Sequence, residues 1–242
     1  MICCIPSKNR PSTKTYKLFE SAGIPCYHFV EPQDIKAYAH HKNVINIEKN
    51  DEGVSYVRNF VLKWAKEKNE EWIIVCDDDV SSFGYYSTST YSTDAAIWKI
   101  ILEKAQKLPF EIVGINYRQH CWHEKENFSI NKRFAEVCAA FNVKKINWEY
   151  KKDTKEDRDF ALQTIKNGNG ILRFNKYFFS CPDVGSNKGG LHDLYAQKRD
   201  AIWAKKIVEE WSPFAKIVEK AGRIDAKINI EAFAKHHNKV VK

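Results

Sequence analysis

Within the first eighty residues, short apolar runs stop repeatedly on polar clusters: "ICCI" (2–5) on "PSKNR", "PCYHFV" (25–30) on "EPQD", "NVINI" (43–47) on "EKNDEG", and "WIIVC" (72–76) on Asp77, Asp78 and Asp79. Helical patterns separate them. Ser12 reads as the N-cap of a helix to about Ser21, stopped by Gly23. From Ser55, the residues Val57, Phe60, Val61, Trp64 and Ala65 recur at helical spacing. Strand, loop and helix in alternation specify a largely parallel sheet with crossover helices on its faces. Ligands bind such sheets beyond the carboxyl ends of the strands, so the polar clusters are expected to face one crevice.

Further along, "SSFGYYSTSTYST" (81–93) lacks aliphatic periodicity and reads as a loop, before a helix over about 94–107 and a strand at "FEIVGI" (110–115). Residues 133–143 read as a strand, 167–174 as its partner strand, and 156–168 as a helix closed by Gly168. "SCPDVGSNKGG" (180–190) reads as a mobile loop, and the remainder as mostly helix with a strand at "DAKINI" (225–230).

Composition narrows the class. A chain of 242 residues with 43% hydrophobic residues buries a real core and is not disordered. Lys and Arg exceed Asp and Glu by 39 to 31, a net charge of +8 that favours a polyanionic partner such as nucleic acid over a purely neutral one. The seven cysteines form no C-x-x-C pair, so reduced, buried thiols are expected. No run approaches the roughly 18 apolar residues of a membrane span, and the expectation is a cytoplasmic protein without a membrane partner.

Adjacent carboxylates at the end of a buried strand repel one another unless a cation compensates. On an extended chain alternate side chains share a direction, so Asp77 and Asp79 can converge on Mg²⁺ or Mn²⁺ while Asp78 points elsewhere. An acidic surface turn is the plain alternative. Aspartyl-phosphate phosphatases carry D-x-D-x-[TV] after their first strand, but here Ser81 holds the fifth position and three strands precede it.

The stretch "NDEGVSYVRNFVLKWAKEKNEEWIIVCDDDV" (50–80) resembles the nucleotide-sugar-binding stretch of GT-A fold glycosyltransferases, with a Gly, an Arg-Asn pair opening a helix and an aspartate-rich metal motif. "ICCIPSKNRPSTKTYKLF" is similar to their first strand and loop, and "KEDRDFALQTIKNGNGILRF" to their Glu-Asp motif at a helix start. More narrowly, "IPSKNR", "VEPQD", "VRN", "DDD", "KEDRDF" and "GSNKGGLHDLY" together resemble the phage TET/JBP-associated glycosyltransferases, over about residues 1–195.

That resemblance implies a metal-dependent enzyme that moves a sugar from a UDP-sugar to 5-hydroxymethylpyrimidine, foremost 5-hydroxymethylcytosine, in double-stranded phage DNA. A glycan or protein acceptor is the alternative. It implies an α/β GT-A domain spanning 1–242, with a nucleotide-sugar half (1–115), an acceptor half (116–195) and a helical C-terminal extension (196–242). Asp77 and Asp79 would hold Mn²⁺ or Mg²⁺, with His192 as a third ligand. Ser7, Lys8, Arg10, Glu31, Arg58, Asp78 and, on loop closure, Lys188 would bind the nucleotide sugar. Of the pair Glu156 and Asp157 at a helix N-terminus, Asp157 would be the base of an inverting transfer; a retaining transfer requires none. Tyr85 and Tyr86 would stack on or line the acceptor.

Overall fold

The computed structural model describes residues 1–135, 137–183, 197, 199–220 and 222–242. A large mixed sheet is built from β1 (Ile2–Pro6), β2 (Cys26–Val30), β3 (Val44–Asn46), β4 (Trp72–Cys76), β5 (Ser82–Ser87), β6 (Thr90–Thr93), β7 (Ile112–Tyr117), β8 (Phe128–Ile130), β9 (Cys138–Asn142) and β10 (Ile171–Ser180). Its order is β3-β2-β1-β4-β9-β7-β10-β5-β6, with β8 beside the first half of β10. β3, β2, β1 and β4 run parallel, β9 is inserted antiparallel between β4 and β7, and β10 runs parallel to β7.

The chain leaves β1 toward β2 and β3, then crosses back to place β4 on the other side of β1. This reversal opens a crevice between the carboxyl ends of β1 and β4, where α/β sheets bind ligands. The clusters after β1 and β4 therefore meet there.

β4 is apolar throughout because both of its faces are covered. Ile73 and Val75 join the core formed with α2 (Val54–Glu67), α4 (Glu156–Asn167), α5 (Arg199–Trp211) and α6 (Ile230–His236). Trp72, Ile74 and Cys76 join the opposite core with α1 (Thr15–Ser21) and α3 (Ile97–Ala105). Helix α2 buries Val57, Val61, Leu62 and Ala65 at the expected three- and four-residue spacing, and Gly53 enters it at φ 86°, a left-handed geometry suited to glycine.

Several expectations need correction. Helix α1 begins at Thr15, not after Ser12, and its N-cap residue Lys14 makes no side-chain cap bond; the buried Thr15 hydroxyl lies instead 2.7 and 2.9 Å from the carbonyls of Asp78 and Val80. The stretch 81–93 is no loop but the hairpin β5–β6, paired to β10 along Tyr177 to Ser180. Its turn residues Thr88 and Ser89 take φ values of 47° and 65° without the Asn-Gly signal such turns usually carry. Residues 133–135 and 137 lie outside β9. Gly168 does follow α4, but in extended geometry; a Cβ there would lie 2.5 Å from the Glu111 carboxylate.

The C-terminal segment is less helical than expected. Between α5 and α6 it forms a hairpin of β11 (Ala215–Lys220) and β12 (Arg223–Ile228). It is fastened to α4 by Trp211, whose Nε1 donates to the fully buried Asp159 at 2.8 Å, and by Arg158, which reaches Asp225 at 3.1 Å. No described helix is long and apolar enough to cross a membrane.

Candidate active site

The acidic turn after β4 is divided between two arginines, with Asp78 and Asp79 on Arg10 and Asp77 on Arg58, whereas alternation had put Asp77 and Asp79 together. Asp78 turns inward, is 4% exposed, and accepts a short hydrogen bond from the Ser7 hydroxyl and another from Arg10 Nη1 at 2.8 Å. Ser7 Oγ lies 2.6 Å from the Tyr38 hydroxyl, which also accepts from the Arg10 backbone amide at 2.9 Å. Asp78 thus locks the β1 loop to the β4 loop. Burial raises its pKa, while Ser7 and Arg10 oppose the rise.

Asp79 meets the same guanidinium, 3.1 Å from Arg10 Nη1. Asp77 faces the other way, toward Arg58 of α2, whose Nη2 lies 3.4 Å from its Oδ1. Arg58 therefore contacts Asp77, while Asp78 contacts Arg10 and Ser7. The other arm of Arg58, Nη1, lies 3.1 Å from Glu156 Oε1 at the start of α4. Its guanidinium stands over the Tyr150 ring at 5.5 Å, and Tyr150 stacks in turn on Phe160. The Nε of Arg58 is buried without a hydrogen-bond partner.

This bridge is electrostatically loaded. Burial, with Asp157 and Asp77 nearby and Arg58 opposing, pushes Glu156 up to about 7. Burial also pushes Asp77 up to about 6, with Arg58 opposing and Asp79, Asp78 and Asp157 adding to the rise. Burial disfavours the Arg58 charge, yet Glu156 and Asp77 hold it firmly protonated. Asp157 accepts from the backbone amide of Arg158 at 2.8 Å and lines a small cavity with Arg58 and Tyr150.

Asp77, Asp78, Asp79, Glu156 and Asp157 gather here against the guanidiniums of Arg10 and Arg58. Among the described residues no three His, Cys, Asp or Glu side chains form a ligand group. Asp77 and Asp79 nonetheless supply hard oxygen donors in surplus negative charge, a set that fits Mg²⁺ or Mn²⁺. His192 and Lys188 lie outside the described residues.

Past β1 and β2, Lys8 pairs with Glu31 at 2.9 Å and also with Asp51, while the Asn9 amide donates to Asp34 at 2.9 Å. Ser7, Lys8, Arg10 and Glu31 thus come together beside Asp78. Tyr85 lies on the same strand face as Phe83, which packs on Trp98 of α3, and Tyr86 on the other, yet both tyrosines line a separate cleft of about 680 Å³ beside α3. Asn59 caps no chain end but exchanges hydrogen bonds with the Tyr150 backbone at 2.7 and 2.9 Å.

Sequence reasoning missed Tyr38, Asp34 and Tyr150. Tyr38 lies in a stretch without regular periodicity, and its role rests on partners 28 and 31 residues away. Tyr150 stands six residues before the Glu-Asp pair in "INWEYKKDTKED", where its aromatic ring gave no sign of a cation above it.

A family model described as TET-Associated Glycosyltransferase matches residues 1–190. No curated protein matches the chain. Among solved structures, glucosyl-3-phosphoglycerate synthase from Mycobacterium tuberculosis, in complex with Mn²⁺, UDP and glucosyl-3-phosphoglycerate, is similar at 9% identity, with 95% of this chain and 90% of that chain covered and a TM-score of 0.54. The same enzyme with Mn²⁺, UDP-glucose and phosphoglyceric acid gives 9% identity, 95% and 89% coverage, and a TM-score of 0.54. At that identity the likeness speaks for the fold, and the family match, across most of the chain, speaks for the activity. The chain belongs to the TET-associated glycosyltransferase family and is a glycosyltransferase built on a GT-A fold.

Proposed function

We propose that the protein moves a sugar from a UDP-sugar to 5-hydroxymethylpyrimidine, foremost 5-hydroxymethylcytosine, in phage DNA, with Mn²⁺ or Mg²⁺ as cofactor. The observation that carries this reading is the Arg58 bridge from Asp77, on the acidic turn, to Glu156, beside Asp157 at the start of α4. It brings the two carboxylate motifs to one crevice, as a transfer between donor and acceptor requires. The surplus of cationic side chains suits a polyanionic acceptor.

In this reading residues 1–115 hold the donor and 116–195 hold the acceptor. Asp77 and Asp79 hold the metal, joined by His192; when bound, the ion neutralises the departing diphosphate. Arg10, Ser7, Lys8, Glu31 and the Asp78 they brace shape the nucleotide side, and Lys188 approaches the diphosphate. In an inverting transfer the hydroxymethyl oxygen attacks the anomeric carbon, its proton passes to Asp157, and the bond from that carbon to the diphosphate oxygen breaks, releasing UDP. Glu156 keeps Arg58 in place beneath that site.

The test is a panel of radiolabelled UDP-sugars offered with hydroxymethylated and unmodified DNA in Mn²⁺ buffer. Label on hydroxymethylated DNA alone supports the reading. An enzyme for glycan or protein acceptors would label neither DNA.

A further inference from the structure

The hairpin that follows the acidic turn carries aromatic rings on the side of the sheet away from α3. Tyr86 and Tyr91 face each other across β5 and β6 with ring centroids 4.8 Å apart, and Tyr91 meets Phe178 of β10 at 5.5 Å. By strand alternation Tyr86 and its neighbours Tyr91 and Phe178 lie on the strand face opposite the α3-facing Phe83, while at the hairpin edge Tyr86 and Lys176 also line the cleft beside α3.

Cations are interleaved with the rings. The Arg118 guanidinium lies over Tyr91 at 4.8 Å and over Phe178 at 5.9 Å; it is exposed and has no carbonyl or carboxylate partner among the described residues. Lys176 lies over Tyr86 at 5.1 Å, steadied by the carbonyls of Cys121 and Glu124. Trp122, in the same 3₁₀ segment as Arg118, is 59% exposed, and its backbone hydrogen-bonds the Tyr91 hydroxyl.

Position adds to composition. Tyr117 pairs with Phe179, and Ser180 with Ser82, so the segment opening at Arg118 stands level with the residues that follow Asp79. With strands about 4.8 Å apart, it is two strands away, about 10 Å across the sheet from the start of β5.

We propose that Tyr86, Tyr91, Arg118 and Trp122 form a stacking platform for unpaired bases of a polynucleotide, with Arg118 and Lys176 engaging its phosphates, so that the acceptor strand is held locally open beside the catalytic carboxylates. Sequence-tolerant single-strand sites combine aromatic faces with a cationic track in this way. A neutral glycan would use the rings and leave the cations without purpose. The inference deepens the proposed DNA acceptor and rests on it for substrate class.

The test is fluorescence anisotropy with unmodified oligothymidine and with a duplex of equal length, without UDP-sugar or metal, over a salt series. The wild type is expected to prefer the single strand. Arg118→Ala and Trp122→Ala should each weaken single-strand binding about tenfold, and Arg118→Ala should reduce the log–log salt slope by about 0.7. Arg118→Lys should restore the slope but only part of the affinity, and Lys63→Ala on exposed α2 surface should bind as wild type. Circular dichroism and the thermal shift with UDP and Mn²⁺ should be unchanged in both alanine variants. Equal binding of duplex and single strand, or wild-type binding by both alanine variants, overturns the platform; so does binding of neutral oligosaccharides with none of DNA. Intact single-strand binding with no sugar transfer to hydroxymethylated DNA would sink the proposed reaction and leave the platform standing.

Discussion

Arg58 Nη1 lies 3.1 Å from Glu156 Oε1, across 98 residues of sequence, and that contact joins the acidic turn to the start of α4. Removing the guanidinium leaves Asp77 and Glu156 facing each other without compensation. Arg58→Ala is therefore expected to lower stability by about 3–5 kcal/mol and to reduce sugar transfer at least a hundredfold. Thermal melts and single-turnover transfer assays read both. A fully active Arg58→Ala enzyme would refute the bridge as a catalytic element.

The same contact sets a pH signature. Glu156 sits at about 7 in the folded protein against an ordinary 4.5, and Asp77 at about 6 against 3.8. Both values are raised, so the folded state binds more protons than the unfolded chain between about pH 4 and 7. The stability they contribute is present below that window and is lost as pH rises through 6 and 7. The metal-free protein should melt at a lower temperature at pH 8 than at pH 5, and Glu156→Gln should flatten the profile. A wild-type profile that rises across this range is the contrary result.

Asp78 and Asp79 should separate in mutagenesis although they are neighbours. Asp78→Asn weakens the bonds from Ser7 and Arg10 at a buried position and should cost about 1–3 kcal/mol of stability. Asp79→Ala should leave the melting temperature nearly unchanged while abolishing the stabilisation by UDP with Mn²⁺ and the metal-dependent transfer. Calorimetry with and without UDP and Mn²⁺ distinguishes the two variants, and retained transfer in Asp79→Ala would remove Asp79 from the metal site.

The β5–β6 hairpin depends on Gly84. A Cβ there would lie 2.0 Å from the Ser92 carbonyl oxygen and 2.6 Å from the Phe178 ring. Gly84→Ala should push β6 away from β5 and destabilise the protein by about 1–3 kcal/mol. Hydrogen exchange should show faster opening of the amides in β5 and β6, with β4 unaffected.

Much of this architecture is visible in local pattern because burial imposes it. β4 is an unbroken apolar run because both its faces are covered, and α2 shows its buried stripe at Val57, Val61 and Ala65. Strand alternation set Asp78 apart, and it is the buried one of the three, but Asp79 shares Arg10 with it while Asp77 meets Arg58. Partners were a different matter. Arg10 meets Asp78 and Arg58 meets Glu156 across 68 and 98 residues of sequence, and no periodicity encodes which arginine reaches which acid. The hairpin was hidden for another reason: its strands of Ser, Thr and Tyr owe their shape to backbone pairing, β5 with β10 and the edge strand β6 with β5, which side-chain hydropathy does not record. The strand β11 was similarly silent, its register set by β12.

Thr15 touches the carbonyls on both flanks of Asp79, Ser7 and Arg10 fasten Asp78, and the Asp77 amide is tied to Val137. Fixing a residue's backbone costs about 1–2 kcal/mol of conformational entropy, and for this turn that ordering is completed when α1 and β9 dock. A donor bound as proposed would meet a turn already ordered and need not weaken its own affinity to shape one.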